Sequence, residues 1–170
     1  MTGDSRIVSA IDALNRLVGH SVAWLTLGMV VTMSAIVILR YAVGIGPVWL
    51  QESVSWMHAA VFMLGGAYTL QRDEHVRVDV FYRGMSQARR ALVDTLGIVL
   101  FLFPLCGFIA YESYDYVAAS WSIHESSRDA GGLPYPSVPL LKTILVVMPI
   151  LLALQGLSLL IASARRLRGE

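Results

Sequence analysis

Residues 17–39 read LVGHSVAWLTLGMVVTMSAIVIL and contain no Asp, Glu, Lys or Arg. This run of 23 residues lies between Arg16 and Arg40. A helix needs about 20 predominantly apolar residues to cross the hydrocarbon core of a bilayer, whereas a helix of a soluble bundle keeps a charged face toward water. The stretch therefore predicts a membrane-spanning helix and excludes a soluble helical bundle.

Three further stretches have the same character, at residues 53–71, 95–111 and 143–164, none of which contains a charged side chain. Only 15% of the 170 residues are charged and 56% are hydrophobic, whereas a soluble domain carries about 25% charged residues. The sequence thus predicts a single all-α membrane domain over residues 1–170. Its four transmembrane helices are expected at about 17–39, 49–70, 91–116 and 138–164.

Two charged segments accompany these spans. Residues 4–16 place Ile7, Ile11 and Leu14 along one helical face and charged residues on the other, which predicts a short N-terminal amphipathic helix lying in the membrane interface. A helical extension of the first span into water is the alternative. Residues 71–90 are dense in charge and predict a second interfacial segment.

The arginine distribution predicts the orientation, because cytoplasmic segments of membrane proteins carry an excess of Lys and Arg. With the N-terminus in the cytoplasm, ten of the 13 cations lie inside and three outside. Both the N- and C-termini are therefore expected to be cytoplasmic. Arg165, Arg166 and Arg168 follow the last span and are expected to contact anionic lipid headgroups.

The residue types within the spans argue against catalysis. An ionisable residue near the bilayer centre costs at least about 2.5 kcal/mol and is kept only for a function, and the central portions of the predicted spans contain none. The single cysteine, Cys106, excludes a disulfide or dithiol relay within the chain. The sequence shows no nucleophile elbow, phosphate-binding glycine loop or metal-ligand cluster. We therefore expect no enzyme activity, no cofactor or metal, and no nucleic-acid partner.

A membrane anchor of a redox enzyme is the alternative function, because membrane bundles commonly hold b-type haems between paired histidines. His20 lies four residues from Arg16 and His58 lies fourteen from Arg72, which are depths of about 6 Å and 21 Å from the same boundary. Two axial ligands need nearly one depth, so this offset argues against haem, and we expect both histidines to pack between helices. A small self-sufficient carrier is a third hypothesis.

Residues 40–79 contain several short motifs in a fixed order, namely Arg40-Tyr41, Trp49 with Glu52, Gly65-Gly66-Ala67, and His75-Val76-Arg77-Val78-Asp79. In this order and spacing they resemble the small membrane subunit of tripartite ATP-independent periplasmic (TRAP) transporters, the DctQ-like family. Gln51 stands where a second acidic residue is frequent in that family, but Glu52 is kept.

The resemblance implies a non-catalytic subunit of a transporter in the bacterial inner membrane. Such a subunit pairs with a large membrane subunit that holds the substrate and sodium sites and moves as an elevator. A periplasmic binding protein delivers the substrate, often an organic acid. The implied role of this chain is to scaffold the large subunit during sodium-coupled symport.

Five of the motif residues are expected to stabilise the hairpin or to meet a partner. Arg40 and Glu52 are expected to link across the short turn, and Trp49 is expected to anchor the helix in the interface. Gly65 and Gly66 are expected to let another backbone approach closely, either within the chain or from a partner.

The other three motif residues lie in the charged segment. Arg77 and Asp79 alternate with valines, so their side chains are expected on one side. An ion pair between them, with His75 nearby, would hold this segment at the inner membrane boundary. A merely solvated basic loop is the alternative.

Overall fold

The computed structural model describes residues 2–73 and 84–167, and within these ranges the regular structure is entirely helical. The helices are α1 (Thr2–Ile38), α2 (Val48–Gln71), α3 (Gln87–Gly97), α4 (Phe103–Ser122) and α5 (Ser137–Leu167). A π-helical turn at Leu39–Val43 ends α1, and another at Ile98–Leu102 connects α3 to α4. The predicted all-α class is confirmed.

Helix α1 differs from the predicted arrangement, because residues 4–16 are continuous with the first span. The helix has 37 residues and a length of about 55 Å, well beyond the hydrocarbon thickness of about 30 Å. Asp12 and Asn15, which lie in its first four turns, hydrogen-bond to α5. These bonds hold the N-terminal part of α1 against the bundle as an extension of the span.

Three helical stretches are long and apolar enough to cross a membrane, namely Arg6–Val43, Arg89–Ser122 and Ser137–Ala164. Helix α2 has 24 residues and is also long enough to cross. It is less apolar because its first half contains Gln51, Glu52 and His58. The predicted span at about 49–70, which would bring the number of spans to four, therefore stays a prediction.

Helix α5 is the centre of the bundle, because it packs against α1, α2, α3 and α4. Helices α1 and α2 form a second extensive contact. Two glycines permit close approaches between helical segments: a Cβ at Gly19 would overlap the ring of Tyr68, and one at Gly156 would lie 2.6 Å from Leu102. Small residues at helix contacts are typical of membrane bundles.

The connections define the two ends of the bundle. We call the end that contains the turn 44–47 and the connection 123–136 the loop end. We call the opposite end, where Asp12, Gln71 and Gln155 meet, the terminus end.

Proline explains the break between α3 and α4. Pro104 lies just after the π-helical turn, in which the N–H of Phe103 donates to the carbonyl of Ile98. Proline lacks an N–H, and its ring crowds the carbonyl four residues earlier. The wider π turn absorbs this disturbance within a continuous helical rod.

Candidate functional site

Glu52 connects α2 to the loop end. Its Oε2 accepts a hydrogen bond of 2.6 Å from the backbone N–H of Leu133, and its Oε1 accepts one from the Ser127 hydroxyl. The sequence predicted a link between Arg40 and Glu52. This prediction is wrong, because no ion pair joins these two described residues and both carboxylate oxygens of Glu52 accept hydrogen bonds from other donors. Glu52 therefore orders the 123–136 connection.

Trp49 and Gly132 complete this contact. The backbone N–H of Trp49 donates to the carbonyl of Gly131 at 3.1 Å, while half of the Trp49 residue surface stays exposed. A Cβ at position 132 would overlap Ser127 and would lie 2.7 Å from the Glu52 Oε1. The missing side chain at Gly132 is what allows the loop to reach the carboxylate.

An ion pair between Glu125 and Lys142 also holds the connection. Lys142 Nζ lies 2.5 Å from Glu125 Oε2, and the Ser120 hydroxyl donates to the same oxygen at 2.6 Å. The Lys142 ammonium lies 3.9 Å from the centre of the Tyr116 ring, where a cation is stabilised by the ring face. The hydrogen bond from Lys142, followed by that from Ser120, lowers the pKa of the Glu125 carboxyl below its ordinary value.

Two indole N–H groups add bonds at this end. Trp56 Nε1 donates to the carbonyl of Ser137 at 3.2 Å, and Trp121 Nε1 donates to the hydroxyl of Thr143 at 3.0 Å. Tyr135 packs edge-on against Trp121 with ring centres 6.1 Å apart. The loop end is therefore an ordered cap over the helix ends.

A buried polar cluster holds the terminus end together. Asp12 Oδ1 accepts hydrogen bonds from Gln155 Nε2 at 3.1 Å and from the Ser158 hydroxyl at 2.9 Å. Asn15 Nδ2 donates to Gln155 Oε1 at 2.7 Å, and Gln71 Nε2 donates to the Asp12 carbonyl at 3.0 Å. Asn15 and Gln155 are each 1% exposed. The cluster joins α1, α2 and α5.

Sequence reasoning placed Asp12 on a polar helix face and missed this cluster. The available signal was the pair of uncharged amides, Asn15 and Gln155, next to or within apolar runs. Buried amides in a membrane helix need hydrogen-bonding partners, but the sequence does not say which ones.

Gly65 and Gly66 line an open groove. A Cβ added at either position would meet no neighbouring atom within 4 Å. Together with Phe62 and residues of α1 and α5 they border a groove of about 740 Å³. Close packing against another helix of this chain therefore does not account for the two glycines.

The two histidines lie in different surroundings. His20 is exposed, and its Nε2 is 3.3 Å from the hydroxyl of Tyr68, which gives a polar contact between α1 and α2. His58 is also exposed, and its ring stacks on Phe62 of its own helix, with ring centres 6.4 Å apart, so its packing between helices stays a prediction. Among the described residues, no group of three His, Cys, Asp or Glu side chains is placed to hold a metal.

The remaining candidates are outside the described part of the structure. His75, Arg77, Asp79 and Arg168 lie beyond the two described ranges, and the side chains of Arg165 and Arg166 are likewise not described. The roles expected for these residues stay predictions.

The geometry provides two polar clusters that connect helices and loops. It brings together, within the described residues, no nucleophile with a general base. A comparison with family models matches residues 29–168 to "Tripartite ATP-independent periplasmic transporters, DctQ component". No curated protein and no solved structure gives a match to the chain. The family match covers most of the 170 residues and confirms the resemblance drawn from the motifs.

Proposed function

The chain belongs to the DctQ component family of TRAP transporters, and from this premise we propose that it scaffolds the large membrane subunit of such a transporter. The complex takes up an organic acid in symport with sodium, after a periplasmic binding protein delivers it. The chain itself performs no chemistry. It resides in the bacterial inner membrane as a multi-pass protein.

The observation that carries this proposal is the placement of polar contacts at both ends of the bundle. Glu52 and Glu125 hold the loop end, and the cluster around Asp12 holds the terminus end. Helices joined at both ends behave as one stiff unit. A stationary support for a moving partner needs this stiffness.

Helix α2 serves as the span predicted at about 49–70 and brings the number of spans to four. Gln71 at its end bonds to the Asp12 carbonyl of α1, while its beginning follows the short turn from α1. The two helices therefore run antiparallel over a common length. If α1 crosses the bilayer, α2 crosses with it, and the number of spans is four. An even number of spans places both termini on one side of the membrane, and the arginine distribution assigns that side to the cytoplasm.

In this orientation the loop end faces the periplasm. The ordered connection 123–136 then presents a fixed surface where the binding protein docks. At the cytoplasmic boundary, Arg165, Arg166 and Arg168 contact lipid headgroups, and His75, Arg77 and Asp79 hold the charged segment at the interface.

Reconstitution tests the scaffold role. Liposomes containing the large subunit, with binding protein and substrate outside, should show sodium-driven uptake only when this chain is also present. Liposomes containing this chain alone should show none, since its spans offer no midplane ligands. Uptake by this chain alone, or full uptake without it, would contradict the proposal. A Soret band in the absorbance spectrum of the purified chain would favour the redox anchor instead.

A further inference from the structure

Helix α2 exposes one face from its first turn to Phe62. Beyond Trp49 in the first turn, the exposed residues of α2 are Gln51, Ser55, His58 and Phe62. Their spacing of four, three and four residues places them on one side of a helix. We call these four residues the α2 stripe. The opposite side is buried, as Ala60 and Ala67 are 2% and 1% exposed.

The α2 stripe is more polar than two other exposed faces of the bundle, because three of its four residues are polar. Polar groups are also exposed on α4, at Glu112 and Asp115. The exposed side chains of the rod between Val99 and Phe108 are all apolar. The exposed side chains of α5 between Leu140 and Leu157 are also all apolar. Such faces suit lipid, and the α2 stripe does not.

His58 carries the strongest argument. It lies ten residues after Val48 and thirteen before Gln71, about 15 Å and 20 Å from the helix ends. An imidazole at this depth has a ring N–H and a ring nitrogen that need partners, and the bilayer core offers no water. His20 meets this need through Tyr68, but no described residue hydrogen-bonds to His58.

We propose that the α2 stripe is the face on which the large membrane subunit packs, and that a hydroxyl, amide or carboxylate of one of its helices hydrogen-bonds to His58. This inference rests on the proposed function. Acyl chains cannot supply such a bond, so lipid is a poor occupant. The groove beside Phe62, about 740 Å³ in volume, gives room for side chains of the incoming helix.

Photocrosslinking in the assembled complex tests the location. Benzoylphenylalanine replaces Phe62 of the stripe or, as a matched control, Phe101 of the π-helical turn, which are 78% and 73% exposed. We expect a crosslink to the large subunit from position 62 and none from position 101. Crosslinking from position 101 alone, or from neither position while the complex co-purifies, would overturn the inference and leave the proposed function standing.

Two other outcomes are informative. A product of twice the 18.6 kDa chain mass from position 62 would show that a second copy occupies the stripe, against the inference. Failure of the unaltered chain to co-purify with the large subunit would contradict the proposed function and this inference together.

A substitution tests the hydrogen bond. His58→Leu should weaken association with the large subunit by about 3- to 20-fold, the range typical of single interhelical hydrogen bonds in membranes. It should not lower the thermal stability of the chain purified alone. His58→Gln, which keeps a donor and an acceptor, should restore part of the affinity. His20→Leu is the matched control, because it should destabilise the chain alone by removing the contact with Tyr68. Unchanged association of His58→Leu would overturn the proposed bond.

Discussion

The two ends of the bundle use polar groups in different ways. At the loop end, the carboxylates Glu52 and Glu125 lie near the surface and bond to groups of the 123–136 connection or beside it. At the terminus end, the amides Asn15 and Gln155 are almost fully buried and bond helix to helix. The first arrangement orders a loop, whereas the second fixes the position of α1 along α5.

The largest effect is expected from the terminus end. Gln155→Leu removes the acceptor of the Asn15 Nδ2 hydrogen bond and one of the donors to Asp12 Oδ1, which keeps the bond from Ser158. Each buried polar group left unsatisfied costs about 1–3 kcal/mol, so the free energy of unfolding should fall by at least about 1 kcal/mol. The loss of stability is measured by labelling the buried thiol of Cys106 during thermal unfolding. The exposed Gln87→Leu is the control, and equal stability of the two variants would remove the contrast between the ends.

A local effect is expected from the loop end. Glu52→Ala deletes the acceptor for Leu133 and Ser127, so hydrogen exchange at the Leu133 amide should accelerate by about tenfold or more. Exchange near Asn15 should not change. Arg40→Ala is the control, because Arg40 does not pair with Glu52 here. If Arg40→Ala produced the same acceleration, the Arg40–Glu52 link expected from sequence would be correct after all.

Acid should loosen the loop end. The Glu125 pKa is lowered in the folded chain by Lys142 and Ser120, so its stabilising contribution is complete above the ordinary value of about 4.5 and is lost as the pH falls through the lower folded pKa. Trp121 fluorescence should report this transition, since its indole packs beside Tyr135. Glu125→Gln should remove the part of the pH dependence that is due to Glu125, and an unchanged profile in that variant would assign the transition to another carboxylate of the loop end, such as Glu52.

The smallest effect concerns the charged segment. If Arg77 pairs with Asp79, the double alanine variant should lose less complex stability than the sum of the single variants, by a coupling of at least about 0.5 kcal/mol. A solvated pair would give strict additivity, since exposed ion pairs contribute about 0–1 kcal/mol and often nothing measurable. Uptake and complex recovery of the three variants distinguish these cases.

The helices could be predicted from the sequence because the bilayer imposes their length and their lack of charge. The contacts of Glu52 could not, because Ser127 and Leu133 lie 75 and 81 residues further along the chain. Periodicity reports which face of a helix is apolar, but it does not report which distant loop lies above it. Motif resemblance identified Glu52 as a candidate, and the short turn between α1 and α2 suggested Arg40 as its partner, whereas its actual partners lie in the distant connection.

The same limit applies to α1. The amphipathic pattern of residues 4–16 predicted a separate interfacial helix, with the extended span as the alternative. Asp12 meets Gln155 across 143 residues of sequence, and that contact accompanies the continuous helix. Composition alone could not distinguish a charge that faces water from one that bonds inside the bundle.

The π-helical turn at Ile98–Leu102 has a consequence for comparing sequences of this family. Seven residues, about two α-helical turns, separate the buried Ala91 from the buried Ile98. Eight separate Ile98 from the buried Cys106, and the wider turn absorbs the additional residue so that all three share one face. The continuous helical segment formed by α3, the π-helical turn and α4 therefore corresponds to a regular helix with one inserted residue. An alignment against a relative with an unbroken helix should therefore open a single-residue gap between Ile98 and Cys106, which keeps the buried positions on both sides of the turn in register.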